Sequence, residues 1–250
     1  MTMRTIGVIP ARWGSTRFPG KSLHPVAGKP LLQWVFERAS RARELDELLV
    51  ATDDERIASA ALAMGAEVVM TSPAHPSGTD RVAEAIRGRP AAVAINIQGD
   101  EPLIDPGLID RLAAALQEPG AAWDMATAAV PLTDPVLIAS PSVVKAVRDA
   151  RGAALYFSRA PIPFVRDASD RTAARYLRHV GIYAYRREFL EALVRRPRSP
   201  LEISESLEQL RALEGGARIR VLDAEDDGVG VDTPDDVPRA EAALRAAGLA

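Results

Sequence analysis

The chain has 250 residues, no cysteine and a net charge of −3. That length suffices for one large domain, or one domain carrying a lobe, and the lack of cysteine excludes disulfides and thiolate metal sites, as expected in a reducing cytoplasm. Acids and bases are mixed throughout, which argues against nucleic-acid binding, and no apolar run approaches the roughly 18 residues of a membrane span.

The predicted elements begin with "TIGVIPA", a short continuous apolar run of the kind that forms a buried parallel strand. Broken by Pro10, it is too short for a signal peptide. From Pro30, "PLLQWVFERASRAREL" has helical spacing at Leu31, Val35, Ala39 and Ala42. "ELLVATDD" is a strand ending in two aspartates, "ERIASAALAMG" a helix closed by Gly65, and "AEVVMT" a third strand. A helix is expected around Thr79 to Arg87, then the strand "AAVAINIQGD" and the helix "DPGLIDRLAAAL". Short loops between alternating strands and helices predict a doubly wound α/β sheet.

The pattern changes after "DMATAAVPL". "SVVKAVRDARGAALYFS" has the period of a hairpin turning at Asp149 to Gly152, and "PIPFVRDASDRTAARY" reads as an irregular arm. "RHVGIYAYRREFLEALV" is a strand running into a helix. One helix is expected over "PLEISESLEQLRAL", then the strand "RIRVLDAE" and the last helix in "TPDDVPRAEAALRAA". The fold class is therefore α/β with a mostly parallel central sheet. Residues of about 1–135 and 215–250 form a core, and about 136–214 an inserted lobe.

Four polar clusters fall beyond strand ends, where open α/β sheets bind ligands. The first is "PARWGSTRFPGKSL". It is not a P-loop: Gly14 and Gly20 enclose five residues where that motif needs four, and Pro19 removes a backbone donor. Arg12, Arg17 and Lys21, with two hydroxyls, still suit a polyphosphate by another geometry. Arginine makes up 28 of the 31 basic residues, and two of the three lysines, Lys21 and Lys29, lie in or just after this loop. The second cluster, "HPSGTDR", offers Ser77, Gly78, Thr79 and Arg81 to a base or ribose, or simply caps a helix. In "NIQGDEP", Asp100 is either a turn aspartate or a Mg²⁺ ligand beside phosphates. In "GVGVDTPDD", Asp232 either starts a helix or joins Asp100 on a shared metal. His24, His75 and His179 lack metal spacing, so zinc is not expected.

Taken together, "PARWGSTRFPGKSL", "HPSGTDR", "NIQGDEPLI", "ALYFSRAPIP", "RHVGIYAYR", "LEQLR" and "GVGVDTPDD" resemble the 3-deoxy-manno-octulosonate (Kdo) cytidylyltransferase family, in order and over nearly the whole chain. The resemblance implies a Rossmann-like nucleotidyltransferase fold, a Mg²⁺-dependent homodimer, and transfer of CMP from CTP to Kdo for lipopolysaccharide synthesis. It implies that Arg12 and Lys21 hold the triphosphate, and that Asp100 and Asp232 hold Mg²⁺. Pro10, Ala11, Arg12, Ser15, Lys21, Ser77, Gly78, Arg81 and Gln98 are the implied nucleotide contacts. Arg17, Gln98, Arg159, His179, Tyr183, Glu208 and Gln209 are the implied sugar contacts, with the Arg159 fork on the Kdo carboxylate.

Overall fold

Every residue of strand β1 (Thr5–Ala11) except Pro10 is buried. Ile6 and Val8 join one hydrophobic core, and Ile9 and Ala11 join another. This is the alternation of a strand covered on both faces. The computed structural model describes residues 4–15, 17–118, 120, 122–167, 176–225 and 228–250. After β1 the chain turns through Gly20, in the left-handed region at φ 70°, into a 3-10 turn at Lys21–Leu23. A Cβ on Gly20 would lie 3.0 Å from the Trp13 ring, so glycine is required there for space as well as for backbone.

Two minimal strands follow, β2 (Pro25–Val26) and β3 (Lys29–Pro30), then helix α1 (Leu31–Ala39). Next come β4 (Glu47–Thr52), α2 (Glu55–Ala63), β5 (Glu67–Met70) and α3 (Gly78–Ala85). β6 (Val93–Asn96) and α4 (Pro106–Gln117) complete the expected alternation. α2, α3 and α4 start on the side-chain caps Asp54, Ser77 and Asp105. The second half contains β7 (Met125–Leu132), the short α5 (Pro135–Ala139), the hairpin β8 (Lys145–Arg148) and β9 (Ala154–Ser158), and β10 (Tyr176–Arg186). It closes with α6 (Arg187–Leu193), α7 (Pro200–Glu205), α8 (Gln209–Glu214), β11 (Ile219–Asp223) and α9 (Val237–Ala246).

The main sheet runs β11-β7-β10-β6-β1-β4-β5, with the β8–β9 hairpin attached to β10. Pairs β6–β1, β1–β4, β4–β5 and β11–β7 are parallel, and β10 alone runs antiparallel to both its neighbours in that order. One core packs α1, α2 and α4 on one face of the sheet. The other packs α3, α6, α8 and the hairpin on the opposite face. A third cluster, of Phe18, Val26, Leu31, Trp34, Val231, Ala240 and Leu244, fastens α9 and the segment before it to the opening loop. Fully buried side chains of this size each contribute about 1.5–3 kcal/mol. The cluster therefore holds residues 18 and 231, at opposite ends of the chain, side by side.

Two expectations are corrected. α1 stops at Ala39, and the β2–β3 pair and α5 had no signal that singled them out. The helix expected over "PLEISESLEQLRAL" is two helices, because Ser206 takes a left-handed conformation at φ 51°. That reversal buries Leu207 and returns Arg211 to Glu202 in a bidentate pair, both bonds 2.9 Å. Residues 168–175 of the expected arm lie outside the described residues.

The Glu202–Arg211 pair generates a stability prediction. Burial alone would raise the Glu202 pKa, but hydrogen bonds and charge from Arg211, with Ser199 and Arg198, hold it below 4.5. The folded protein thus binds this proton less tightly than the unfolded chain. The resulting stability is complete above the unfolded value and lost as pH falls through the folded one. Glu202→Ala leaves Arg211 buried without its partner and is expected to cost about 3–5 kcal/mol in urea melts at neutral pH. The difference from the parent should shrink as pH falls below 4.5. A loss that is small, or independent of pH, would contradict this account.

Candidate active site

At the carboxyl ends of β1 and β6 lies a cleft of about 350 Å³. It is lined by Pro10, Ala11, Arg12, Ser15, Arg17, Lys21, Ser22, His75, Pro76, Ser77, Gly78, Arg81, Gln98, Gly99, Asp100 and Asp232. Gly99 lets the turn after β6 approach β1, since a Cβ there would meet the Pro10 carbonyl oxygen at 3.1 Å. Twelve of the seventeen site residues that the resemblance implies share this cleft; Arg159, His179, Tyr183, Glu208 and Gln209 do not line it, nor does Thr79.

Lys21 is the hub. Its Nζ donates to Asp100 Oδ2 at 2.7 Å, to the Val231 carbonyl at 3.2 Å and to Asp232 Oδ1 at 3.3 Å. The Val231 amide in turn donates to the Asp100 carbonyl at 2.9 Å. Asp232 is not a helix cap: that task belongs to Thr233 and Asp236, which form a capping box on the following 3-10 turn. Its carboxylate is left to Lys21 and to Arg17, whose Nη2 lies 2.9 Å away. Asp100 and Asp232 therefore converge on one cation, and both are the hard oxygen donors that Mg²⁺ prefers. The described residues hold no cluster of three or more His, Cys, Asp or Glu placed to bind a metal. An ion here would draw its remaining ligands from phosphate and water, as Mg²⁺ commonly does.

The opposite wall is built by α3. Ser77 is both cap and wall: its hydroxyl accepts from the Asp80 amide at 3.3 Å and donates to Asp80 Oδ2 at 2.7 Å. Arg81 is 4% exposed. It donates to the Thr71 hydroxyl and pairs with Asp53 Oδ2 at 3.3 Å. Asp53 Oδ1 is buried without a partner among the described residues. Sequence reasoning passed over Asp53 and His75. The signals were present: Asp53 ends a strand, as Asp100 does, and His75 begins the "HPSGTDR" segment.

A second polar cluster sits where β10 meets β7 and α8. His179 packs against Phe157 and Tyr183, with ring centroids 5.0 and 5.5 Å away. Its Nε2 lies 2.9 Å from the Thr127 hydroxyl, which reaches the Ile182 carbonyl at 2.8 Å. Tyr183 donates to Gln209 Oε1 at 3.3 Å, while Gln209 Nε2 is buried without a partner among the described residues. Burial raises the Tyr183 and Tyr185 pKa values and lowers that of His179 to about 3, so this cluster is neutral. It borders the cleft: Tyr183 stands opposite Asn96 across the β10–β6 pair, and Gln98 donates to the Asn96 side chain at 3.3 Å. Glu208 reaches toward Arg211, 3.8 Å away.

Arg159 lies outside the lining of the cleft, against the turn between α7 and α8. Its guanidinium donates to the carbonyls of Glu205 at 2.7 Å, Pro141 at 2.9 Å and Ser206 at 3.4 Å. Its amide donates to Glu205 Oε2 at 2.9 Å. The three guanidinium bonds brace the wall that carries Gln209 and use three of the five guanidinium N–H groups, which leaves two for a carboxylate.

A family model described as Cytidylyltransferase matches residues 6–219. The 3-deoxy-manno-octulosonate cytidylyltransferase of Solibacter usitatus is 51% identical, covering 98% of this chain and 96% of its own. That of Geobacter sulfurreducens is 49% identical, covering 95% and 98%. The solved structure of a CMP:2-keto-3-deoxy-manno-octonic acid synthetase complexed with CTP superposes with a TM-score of 0.92 at 43% identity, covering 98% of this chain and 99% of the other. A 4-diphosphocytidyl-2C-methyl-D-erythritol synthase from Anaerococcus prevotii, at 14% identity and a TM-score of 0.67, shares the nucleotidyltransferase fold.

The enclosed His179 supplies a titration test. Desolvation takes its pKa from 6.5 to about 3, so the unfolded chain binds this proton more readily than the folded one. The stability it contributes is complete above 6.5 and declines as pH falls toward about 3. The His179 imidazole signals in NMR are expected to stay at their neutral positions across roughly pH 5–8, the interval in which an unperturbed histidine changes charge. A transition within that interval would show the ring to be solvated.

Proposed function

The chain belongs to the 3-deoxy-manno-octulosonate cytidylyltransferase family, and we infer that it transfers CMP from CTP to the anomeric hydroxyl of Kdo, giving CMP-Kdo and pyrophosphate. The observation that carries this reading is the Lys21 bridge between Asp100 and Asp232 on a cleft also lined by Arg12, Arg17 and Arg81. In the reaction the sugar oxygen bonds to the α-phosphorus as the bond from that phosphorus to the pyrophosphate oxygen breaks. The barrier lies in bringing anions together and in charge on phosphate oxygens, so positioning and electrostatics carry the catalysis.

Lys21 and Arg12 meet the triphosphate. Pro10, Ala11, Ser15, Ser77, Gly78, Arg81 and Gln98 enclose the nucleoside. Arg81, fixed by Thr71 and Asp53, presents its charge without reorganisation. Asp100 and Asp232 are the residues that would hold Mg²⁺, whose chemistry when bound is to neutralise phosphate charge and make the attacking hydroxyl more acidic. Lys21 keeps the two carboxylates facing one point by offsetting their repulsion. On the sugar side, His179, Tyr183, Glu208 and Gln209 offer hydrogen bonds to hydroxyls. Arg159, with two guanidinium N–H groups left over, is the arginine proposed for the Kdo carboxylate, and Arg17, whose side chain is 65% exposed at the cleft, stands beside Asp232 on the sugar side. The reading carries with it a cytoplasmic reaction supplying lipopolysaccharide assembly.

The test is pyrophosphate release with a panel of nucleotides and acidic sugars. CTP with Kdo is expected to be the productive pair; equal turnover of ATP or GTP would sink cytidine selectivity. Asp100→Asn and Asp232→Asn each nearly keep the shape while removing an anionic ligand. Each is expected to lose at least tenfold in turnover, about 1.4 kcal/mol or more of transition-state stabilisation, with melting temperature held. Near-normal turnover at low Mg²⁺ would take that residue out of the metal site.

The proposed homodimer has its own support on the lobe, where Phe164 is 86% exposed and Leu155 58% exposed. Contiguous apolar surface in solvent marks an interaction site, and Pro161, also exposed, and Ile162 precede Phe164 on the same arm. Light scattering at micromolar concentration is expected to give twice the chain mass, and Phe164→Asp to reduce it. A monomer mass for the parent would refute the dimer.

A further inference from the structure

His75 lines the cleft beside Ser77, Arg81 and Lys21, and the reaction as described makes no use of it. One end of its ring is fixed. Nε2 lies 2.5 Å from Glu84 Oε2, and that oxygen also accepts from the Ser72 amide at 2.8 Å. The Ser72 amide, and then His75, hold the Glu84 carboxyl below its usual range, so it remains an acceptor and Nε2 carries the proton. A carboxylate on one imidazole nitrogen fixes the tautomer and the ring orientation. Glu84 and Arg81 sit on the same helix, three residues apart, so one rigid element sets both side chains.

The other nitrogen, Nδ1, makes no hydrogen bond within the described residues, and the side chain is 20% exposed. A brace for the 72–77 turn would need Nε2 alone. With Nε2–H turned to Glu84, Nδ1 presents its lone pair on a wall of cations suited to phosphate, which suits an N–H or an O–H. We propose that His75 is a nucleotide-binding residue whose Nδ1 accepts a hydrogen bond from the nucleoside, either from the amine of the base or from a ribose hydroxyl, with Glu84 as its positioning residue. The proposal rests on the reading of the cleft as a CTP site.

Calorimetric titration in magnesium buffer without sugar tests it, using CTP, UTP, 2′-deoxy-CTP, 3′-deoxy-CTP and inorganic tripolyphosphate. UTP replaces the amine with a carbonyl, and each deoxy analogue lacks one hydroxyl. His75→Ala is expected to weaken CTP about tenfold and to leave tripolyphosphate unchanged. One analogue, the one lacking the donor, should bind parent and variant alike, which identifies the partner. Glu84→Ala should reproduce the loss and add nothing to His75→Ala, whereas Glu84→Gln, whose amide oxygen still accepts from Nε2, should restore most of it. Equal weakening of every ligand, or unchanged CTP affinity with a lowered melting temperature, would overturn the proposal and leave His75 as a brace. A parent protein that binds no CTP would instead remove the reading on which the proposal rests.

Discussion

The site depends on one ammonium group. Lys21 Nζ touches two carboxylates and a carbonyl from segments 79 and 210 or more residues away in the chain. Two carboxylates facing one point repel, and the charged form of each is disfavoured unless a cation stands between them. With only 17% of the Lys21 side chain exposed, the attraction is weakly screened compared with a surface pair. The lysine therefore fixes where the ends of β6 and of the segment before α9 must lie. A planar guanidinium, built to grip one carboxylate with two parallel bonds, would not serve two carboxylates and a carbonyl as a compact ammonium does. That is a physical reason for a lysine in a chain whose other basic residues are nearly all arginine.

Electrostatics alone would not assemble such a point. The packing beneath it does, through the third hydrophobic cluster. Phe18 and Val26 come from the loop that carries Lys21, Val231 precedes Asp232, and Ala240 and Leu244 belong to α9. Ala27 adds a hydrogen bond from its amide to Glu241 at 2.9 Å, and the Trp34 indole donates to the Val26 carbonyl at 2.7 Å. The last helix is therefore the element that makes the cleft possible, although no residue of it lines the cleft.

How much of this was legible follows from the range of each interaction. Strands and helices with clear period and clear caps could be read locally, and the rule that ligands gather at strand ends gathered Arg12, Ser77, Gln98, Asp100 and Asp232 correctly into one place. The break at Ser206 was hidden because the apolar spacing of Leu201, Leu207 and Leu210 does not announce a left-handed residue between them. The contacts of Arg159 were hidden for the same reason: they include backbone carbonyls 46 and 47 residues away on that very turn, and carbonyls leave no mark in a sequence. Glu84 was missed because it acts through His75, and a residue that orients another has no motif of its own.

The two polar regions differ in the way their ligands would require. The cleft is rich in charge and open, and its cations are held by carboxylates, so it can exchange one set of anions for another with little reorganisation. The neighbouring wall is half-buried and carries less charge: His179 cannot easily take a proton, Tyr183 cannot easily lose one, and the Gln209 amide nitrogen is left without an acceptor among the described residues. An unsatisfied buried donor costs about 1–3 kcal/mol. A fold keeps such a cost where a ligand relieves it, and a sugar hydroxyl bonded to Gln209 Nε2 would do so. On the proposed reading, charge would govern the phosphate end and hydrogen bonding the sugar end. The β10–β6 pair, where Tyr183 faces Asn96 and Asn96 meets Gln98, is the seam along which the two substrates would meet.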